Sequence, residues 1–249
     1  MSVIHGPLTG RLVRGRHLRF HRGARCILDG IDLDLAPGEA LALVGRNGAG
    51  KTTTMHLVLG FLTPHGGELE VCGHPMPARA REARGLLAHV PENVRLYPEF
   101  SARENLRYFL GLGGRDPGPR EADGWLDRVG FPARALDDRL GTFSKGMRQK
   151  VGLAIAVARE ARLILLDEPF SGLDPASARD LVHLLSELKS EGRGLLLNTH
   201  EILRTHPLLD RIAVLGGGKI QEVLEVASHA PDTLETRVIG WLEQDGRPA

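Results

Sequence analysis

Cysteine is scarce in this chain, net charge is close to zero, and no apolar run is long. The two cysteines, Cys26 and Cys72, have neither metal-ligand spacing nor the density of a disulfide framework, which suits a reducing compartment. A formal net charge of +1 excludes the broad basic field that binds nucleic acid unselectively, and the scattered arginines read as solvated faces. The longest apolar runs, such as 151–158 and 163–166, fall far short of the roughly 20 residues that cross a bilayer. The opening stretch 1–10 has no charged region followed by an apolar block, so no secretory signal is expected there. Histidine is not scarce, at eleven. None falls in an H-E-x-x-H or clustered Cys/His pattern, and His200 and His206 are too far apart for one turn of a helix face.

What is present is ordinary globular composition, 42% hydrophobic and 25% charged over 249 residues. That length holds one large domain, or a core with an inserted subdomain. Leu18 and Phe20 mark a short strand, and Ile31, Leu33 and Leu35 alternate with Asp32 and Asp34 as a half-buried strand does. The continuous apolar run 41–44 predicts a strand buried on both faces of a parallel sheet. A helix is predicted over about 51–59, and a strand over 68–72. Ala102, Leu106, Phe109 and Leu110 have helical spacing, 111–119 reads as loop, and Trp125, Leu126 and Val129 suggest a second helix. Further on, 151–158 continues a helix, 163–166 is a buried strand, and 176–189 carries Leu181, Leu184, Leu185 and Leu188 on one helical face. Short strands follow at 195–197 and 212–215, and the charged tail after Lys219 predicts little. Alternating strands and helices imply a parallel α/β core.

Gly45-Arg46-Asn47-Gly48-Ala49-Gly50-Lys51-Thr52 matches G-x-x-x-x-G-K-[ST], between an apolar strand and a helix. Glycines let backbone N–H groups converge on phosphate oxygens, and the helix start aims its positive dipole end at the same anion. Lys51 then supplies charge to the β- and γ-phosphates and the Thr52 hydroxyl ligates magnesium. Thr53 is counted with the nucleotide contacts. The run 163–166 ends in Asp167-Glu168, which puts two carboxylates at a strand's C-terminal edge, where open α/β sheets bind ligands. Asp167 is the candidate magnesium ligand, and Glu168 the group that polarises an attacking water. Magnesium brought with nucleotide is the only metal expected.

Further motifs give the chain its resemblance. Thr142-Phe143-Ser144-Lys145-Gly146-Met147-Arg148-Gln149, Ser171-Gly172-Leu173-Asp174, Asn198-Thr199-His200 and Val90-Pro91-Glu92-Asn93 stand in the order of the signature, D-loop, switch histidine and Q-loop of the ABC ATPases. The chain resembles that family from about Arg19 to Ile220. The resemblance implies a P-loop NTPase fold: a RecA-like core with a parallel sheet, an N-terminal antiparallel β part and an inserted helical subdomain. The expected division is a single domain, with core over 1–91 and 146–225, helical part over 92–145 and a short tail over 226–249. It also implies ATP and Mg2+, and a dimer in which Ser144, Lys145, Gly146 and Met147 of one chain face the phosphate held by the other's Lys51. His200 is expected to contact the γ-phosphate and orient Glu168, and Asp174 to act across the dimer interface.

Two positions depart from the family pattern. Glu92 stands where glutamine is usual, and is expected near the magnesium. The base-stacking aromatic is placed at Phe20, with His21 second, although local spacing differs. One set of motifs and a short insertion broken by Gly113-Gly114 and Pro117-Gly118-Pro119 resemble transporter subunits rather than translation or repair ATPases. The implied partners are a separate multi-span permease and a second ATPase copy, at the cytoplasmic face of a membrane, with no nucleic acid. The segments 91–106 and 143–149 resemble the branch that matures the copper sites of nitrous-oxide reductase, and also multidrug-type exporters. A soluble ATP-dependent switch acting on a protein partner is the alternative, and an inactive nucleotide-sensing module a third.

Overall fold

The computed structural model describes residues 10–244. Most of the opening stretch read for a leader, and the closing Arg247-Pro248-Ala249, lie outside the described residues. The larger sheet has six strands. β3 (Ala40–Gly45), β6 (Leu87–Val90), β7 (Leu163–Asp167), β8 (Gly194–Asn198), β9 (Arg211–Gly216) and β10 (Lys219–Glu225) run in the spatial order β10-β9-β3-β8-β7-β6. All pairs are parallel except the edge hairpin β9–β10. A second, antiparallel sheet holds β1 (Val13–Arg22), β2 (Arg25–Leu35), β4 (Gly66–Val71) and β5 (His74–Met76) in the order β2-β1-β4-β5.

The unbroken apolar runs follow from burial on both faces. Along β7, Ile164 and Leu166 enter one core cluster while Leu163 and Leu165 enter the other. β3 divides the same way, with Ala40, Ala42 and Val44 on one face and Leu41 and Leu43 on the opposite one. The first face is covered by α3 (Ala102–Gly111), α4 (Pro119–Arg128), α5 (Lys145–Ala158), α6 (Pro175–Ser190) and α8 (Pro231–Gln244). The second meets α1 (Lys51–Val58), α2 (Ala80–Arg84) and the antiparallel sheet. Helix starts are set by local chemistry: Ser101 and Glu104 form a reciprocal capping box on α3, and Pro119 opens α4. At the opposite edge of the large sheet from the strand C-termini, Asp210 Oδ2 accepts from Ala40 N at 2.8 Å and the Glu39 carboxylate from Ala36 N at 2.7 Å. Arg211 joins the same Glu39.

The elements predicted from apolar runs are present, and several others are longer or were not foreseen. β1 spans Val13–Arg22 rather than the short run at 18–20, because register shifts around His17 (φ 50°) break its alternation. β6 mixes Ala88 and His89 into a four-residue strand and gives no clear periodic signal. The tail after Lys219 is ordered as β10 and α8. It is held by Leu234 and Val238 in the core and by Trp241 Nε1, which donates to Glu222 Oε2 at 2.6 Å.

The two thiols differ sharply. Cys26 is exposed, whereas Cys72 is buried, and burial pushes its thiol up to about 12. A thiol reagent at neutral pH is expected to titrate one cysteine in the native chain and the second only after denaturation. Two fast-reacting thiols would contradict the packing around Cys72.

Candidate nucleotide-binding site

The loop between β3 and α1 is built for close approach. Gly50, the residue before α1, has φ 111°, and a Cβ on it would stand 2.5 Å from Leu28 Cδ2. Gly48 has φ 86°, and a Cβ on Gly45 would stand 2.4 Å from the Leu215 carbonyl oxygen. Only glycine fits these three places. α1 starts without a side-chain cap or an acidic residue in its first turn, which leaves its N–H groups open to an anion. Arg46 reaches across to α8, donating to the Leu242 carbonyl at 3.3 Å. Thr52 is exposed at the helix start, while Thr53 is buried.

Lys51 folds back over its own loop, donating to the Gly45 and Arg46 carbonyls. Burial lowers its pKa, opposed by the charges of Glu168 and Asp167. Those carboxylates end β7, and the neighbouring β8 holds them. Asp167 and Asn198 are register partners, Asn198 Nδ2 donates to Asp167 Oδ1 at 2.6 Å, and Glu168 N donates to the Asn198 carbonyl at 2.8 Å. Glu168 has φ 45°, an uncommon conformation for a side-chain-bearing residue. Its Oε2 lies 2.9 Å from His200 Nδ1, without the alignment of a hydrogen bond. That oxygen is buried and otherwise unpartnered, as is Asn198 Oδ1. The orphaned Glu168 oxygen and the Asp167 carboxylate, both acting on Lys51, are hard-oxygen donors of the kind that suits Mg2+ and an ordered water. Among the described residues, no group of three or more His, Cys, Asp or Glu is arranged to hold a metal by itself.

The remaining candidates lie elsewhere. Ser144 is exposed and caps α5, its Oγ accepting from Met147 N at 3.2 Å. Gly146 lies close to Leu173: a Cβ there would stand 3.2 Å from Leu173 Cδ2. Met147 is half-buried against the helical face of the core. Asp174 caps α6, accepting from Ala176 N and Ser177 N at 3.0 Å each. The Ser177 hydroxyl is the main cause of its lowered pKa. Glu92 is paired with Lys145, 3.3 Å away. Phe20 is only 7% exposed, packed in the core with its ring 5.0 Å from His65, and so has little ring surface free for a base. His21 is exposed, edge-on to His65. Sequence reasoning gave no role to Asn198, whose position at the end of a buried apolar run was the available signal. Gln149 was also given no role: it is buried and donates to the Pro169 carbonyl, tying α5 to the segment after Glu168.

The family description "ABC transporter" matches residues 28–171. Among curated proteins, the chain is 34% identical over 220 residues to Nod factor export ATP-binding protein I of Paraburkholderia xenovorans (strain LB400), covering 88% of this chain and 70% of that protein. It is 33% identical to the uncharacterized ABC transporter ATP-binding protein YdbJ of Bacillus subtilis (strain 168), covering 87% and 70%. Among solved structures, an ATP-binding subunit of an ABC transporter superposes with TM-score 0.77 at 28% identity, covering 92% of this chain and 99% of that one. The dimeric post-hydrolysis state of the cassette MJ0796 bound to ADP and Pi shares the fold, with TM-score 0.76 at 22% identity, covering 86% and 98%.

Lys51 is the cation through which the loop would meet a phosphate. Lys51→Met is expected to weaken nucleotide binding about 10- to 150-fold, from the roughly 1.5–3 kcal/mol of a hydrogen bond to a charged group. Fluorescent-nucleotide titration, with circular dichroism to confirm folding, reads this; unchanged affinity would remove Lys51 from the site. The match over more than half of the chain, on this fold and with this loop, places the protein in the ABC transporter family, as an ATP-binding subunit.

Proposed function

We propose that the chain hydrolyses ATP as one of two copies that close on nucleotide, and that this closure drives a separate membrane permease. The observation that carries the reading is the split between the two halves of the site. Lys51, Asp167, Glu168 and His200 converge at one sheet edge, whereas exposed Ser144 caps a different helix and meets only that helix's own first turn. A hydroxyl and free N–H groups at the start of α5 suit the terminal phosphate of a nucleotide held by a second copy. Within one chain, Glu168 takes the proton of the attacking water, and His200, whose Nδ1 lies 2.9 Å from Glu168 Oε2, turns into line with it once nucleotide is bound. Thr52 and Asp167 are the residues that would hold magnesium, which supplies neutralising charge to the phosphates when bound. Asp174 lies on the surface beside Ser144's neighbours and is offered as a contact between copies.

Support for a permease comes from the segment after Glu92. Tyr97 and Tyr108 are exposed, their rings 4.8 Å apart, with Phe100 and Phe109 beside them. An aromatic patch of this kind fits a short helix from a membrane partner. None of the helices among the described residues is long and apolar enough to cross a membrane. The export names of the Nod factor relatives favour outward movement of a cargo over delivery of copper or sulfur species.

Glu168→Gln is expected to slow phosphate release by about 10²–10⁴-fold while nucleotide still binds. Light scattering should then find an ATP-dependent dimer. A monomer at saturating ATP and Mg2+ would refute the paired site. Tyr108→Glu is expected to leave the basal ATPase rate unchanged and to abolish co-purification with a multi-span protein from detergent-solubilised membranes. Retention of that partner by Tyr108→Glu would move the docking surface elsewhere.

A further inference from the structure

Glu92, which stands where the family usually has glutamine, meets Lys145 of the signature turn. Glu92 brings a negative charge and Lys145 a positive one, and Lys145 Nζ donates to Glu92 Oε1 at 3.3 Å. They are 53 positions apart in sequence, and the packing of α5 joins them. A Cβ on Gly152 would stand 3.1 Å from Val94 Cγ1 and 3.6 Å from Val90 Cγ1, so α5 lies directly on the segment that leaves β6. Lys145 precedes Gly152 by two helical turns and shares that face. Its stem passes close to Gly172, where a Cβ would stand 3.6 Å from Lys145 Cδ, an ordinary packing distance.

Glu92 follows β6 at the sheet edge where Asp167 ends β7, and the two strands are paired up to Val90 and Leu166. Its backbone therefore starts one strand away from the carboxylate expected to hold magnesium. Yet the carboxylates that act on Lys51 are Glu168 and Asp167, while Glu92 is turned to Lys145.

We propose that Glu92 and Lys145 form an exchangeable ionic latch: in the nucleotide-free chain Lys145 holds the Glu92 carboxylate away from the magnesium position, and Mg2+ with ATP draws it off. This deepens the ATPase reading and rests on it. Both side chains are a third or more exposed, so the pair is a bias and not a lock. Its release moves one negative charge towards the nucleotide and bares a cation beside Ser144, in the turn that faces the second copy. Opening of the ion pair and exposure of the partner-facing charge become one event.

The test is the Mg2+ concentration that half-saturates ATP binding, read by a fluorescent ATP analogue on the full chain, for the wild type, Lys145→Met, Glu92→Gln and the double variant. Lys145→Met is expected to lower that midpoint about three- to fivefold, the upper value corresponding to about 1 kcal/mol. In the Glu92→Gln background the same change is expected to do nothing, and Lys145→Arg should keep the wild-type midpoint. In the nucleotide-free chain, Glu92→Gln should raise acetylation of Lys145 severalfold, measured by mass spectrometry. An equal shift from Lys145→Met in both backgrounds, or Lys145 acetylation indifferent to Glu92, overturns the latch while leaving the ATPase reading intact. Absence of ATP binding by the wild type would instead overturn that underlying reading.

Discussion

Three strands end around one half-buried ammonium. Lys51 sits where β3 gives way to its loop, facing the carboxylates that close β7, and those carboxylates are braced by the end of β8. A cation so placed would be costly without Asp167 and Glu168, and two neighbouring carboxylates would repel each other without it. The rest of the molecule positions this triad of charges. The parallel order β9-β3-β8-β7-β6 brings residues distant in sequence to a common edge, and the two core clusters above and below keep that edge rigid. Glu168 is held there in a left-handed backbone conformation, secured by its N–H bond to Asn198 and, one residue on, by Gln149 gripping the Pro169 carbonyl. Local strain maintained by surrounding bonds is what a positioned catalytic carboxylate requires.

Much of this was legible in the sequence, for reasons that differ from element to element. β3, β7 and β8 announce themselves because burial on both faces forbids polar residues along the run. The phosphate loop is legible because its glycines are forced, at Gly45 by collision with the Leu215 carbonyl and at Gly50 by a positive φ against Leu28. β1 is only half legible, since its bulges break alternation. α8 hides in a charged stretch, because its buried anchors are few: Leu234 and Val238, one turn apart, with Trp241 and Leu242 half-buried beside them. The pairing of Glu92 with Lys145 had no sequence signal beyond their opposite charges, for only the docking of α5 brings them together. Phe20 is legible in the opposite way: its place upstream of the phosphate loop suggests a base platform, while the inward phase of its strand buries it in the core.

Dependence on α5 also explains why the signature turn and the segment after β6 belong together. The helix begins at Ser144 and lies along Val94 and Val90, with Gly152 allowing the closest approach. A helix carrying the turn proposed to face a second copy at one end, and resting on the segment below the aromatic patch, is placed to transmit a tilt between them. The aromatic rings of Tyr97 and Tyr108 sit on the same helical part of the molecule.

The two-faced apolar strands have one more effect. Sliding β7 by one residue would exchange Leu165 for Leu166 or Ile164 and offend neither face, so hydrophobicity alone does not choose how far the strand is threaded. The polar ends must do so. Asp167 against Asn198 stops the strands at one rim, while Glu39 and Asp210 anchor Arg211 and the start of β3 at the other. The carboxylate proposed to hold magnesium is therefore also a stop on the threading of the central sheet, so that one side chain would serve both chemistry and alignment.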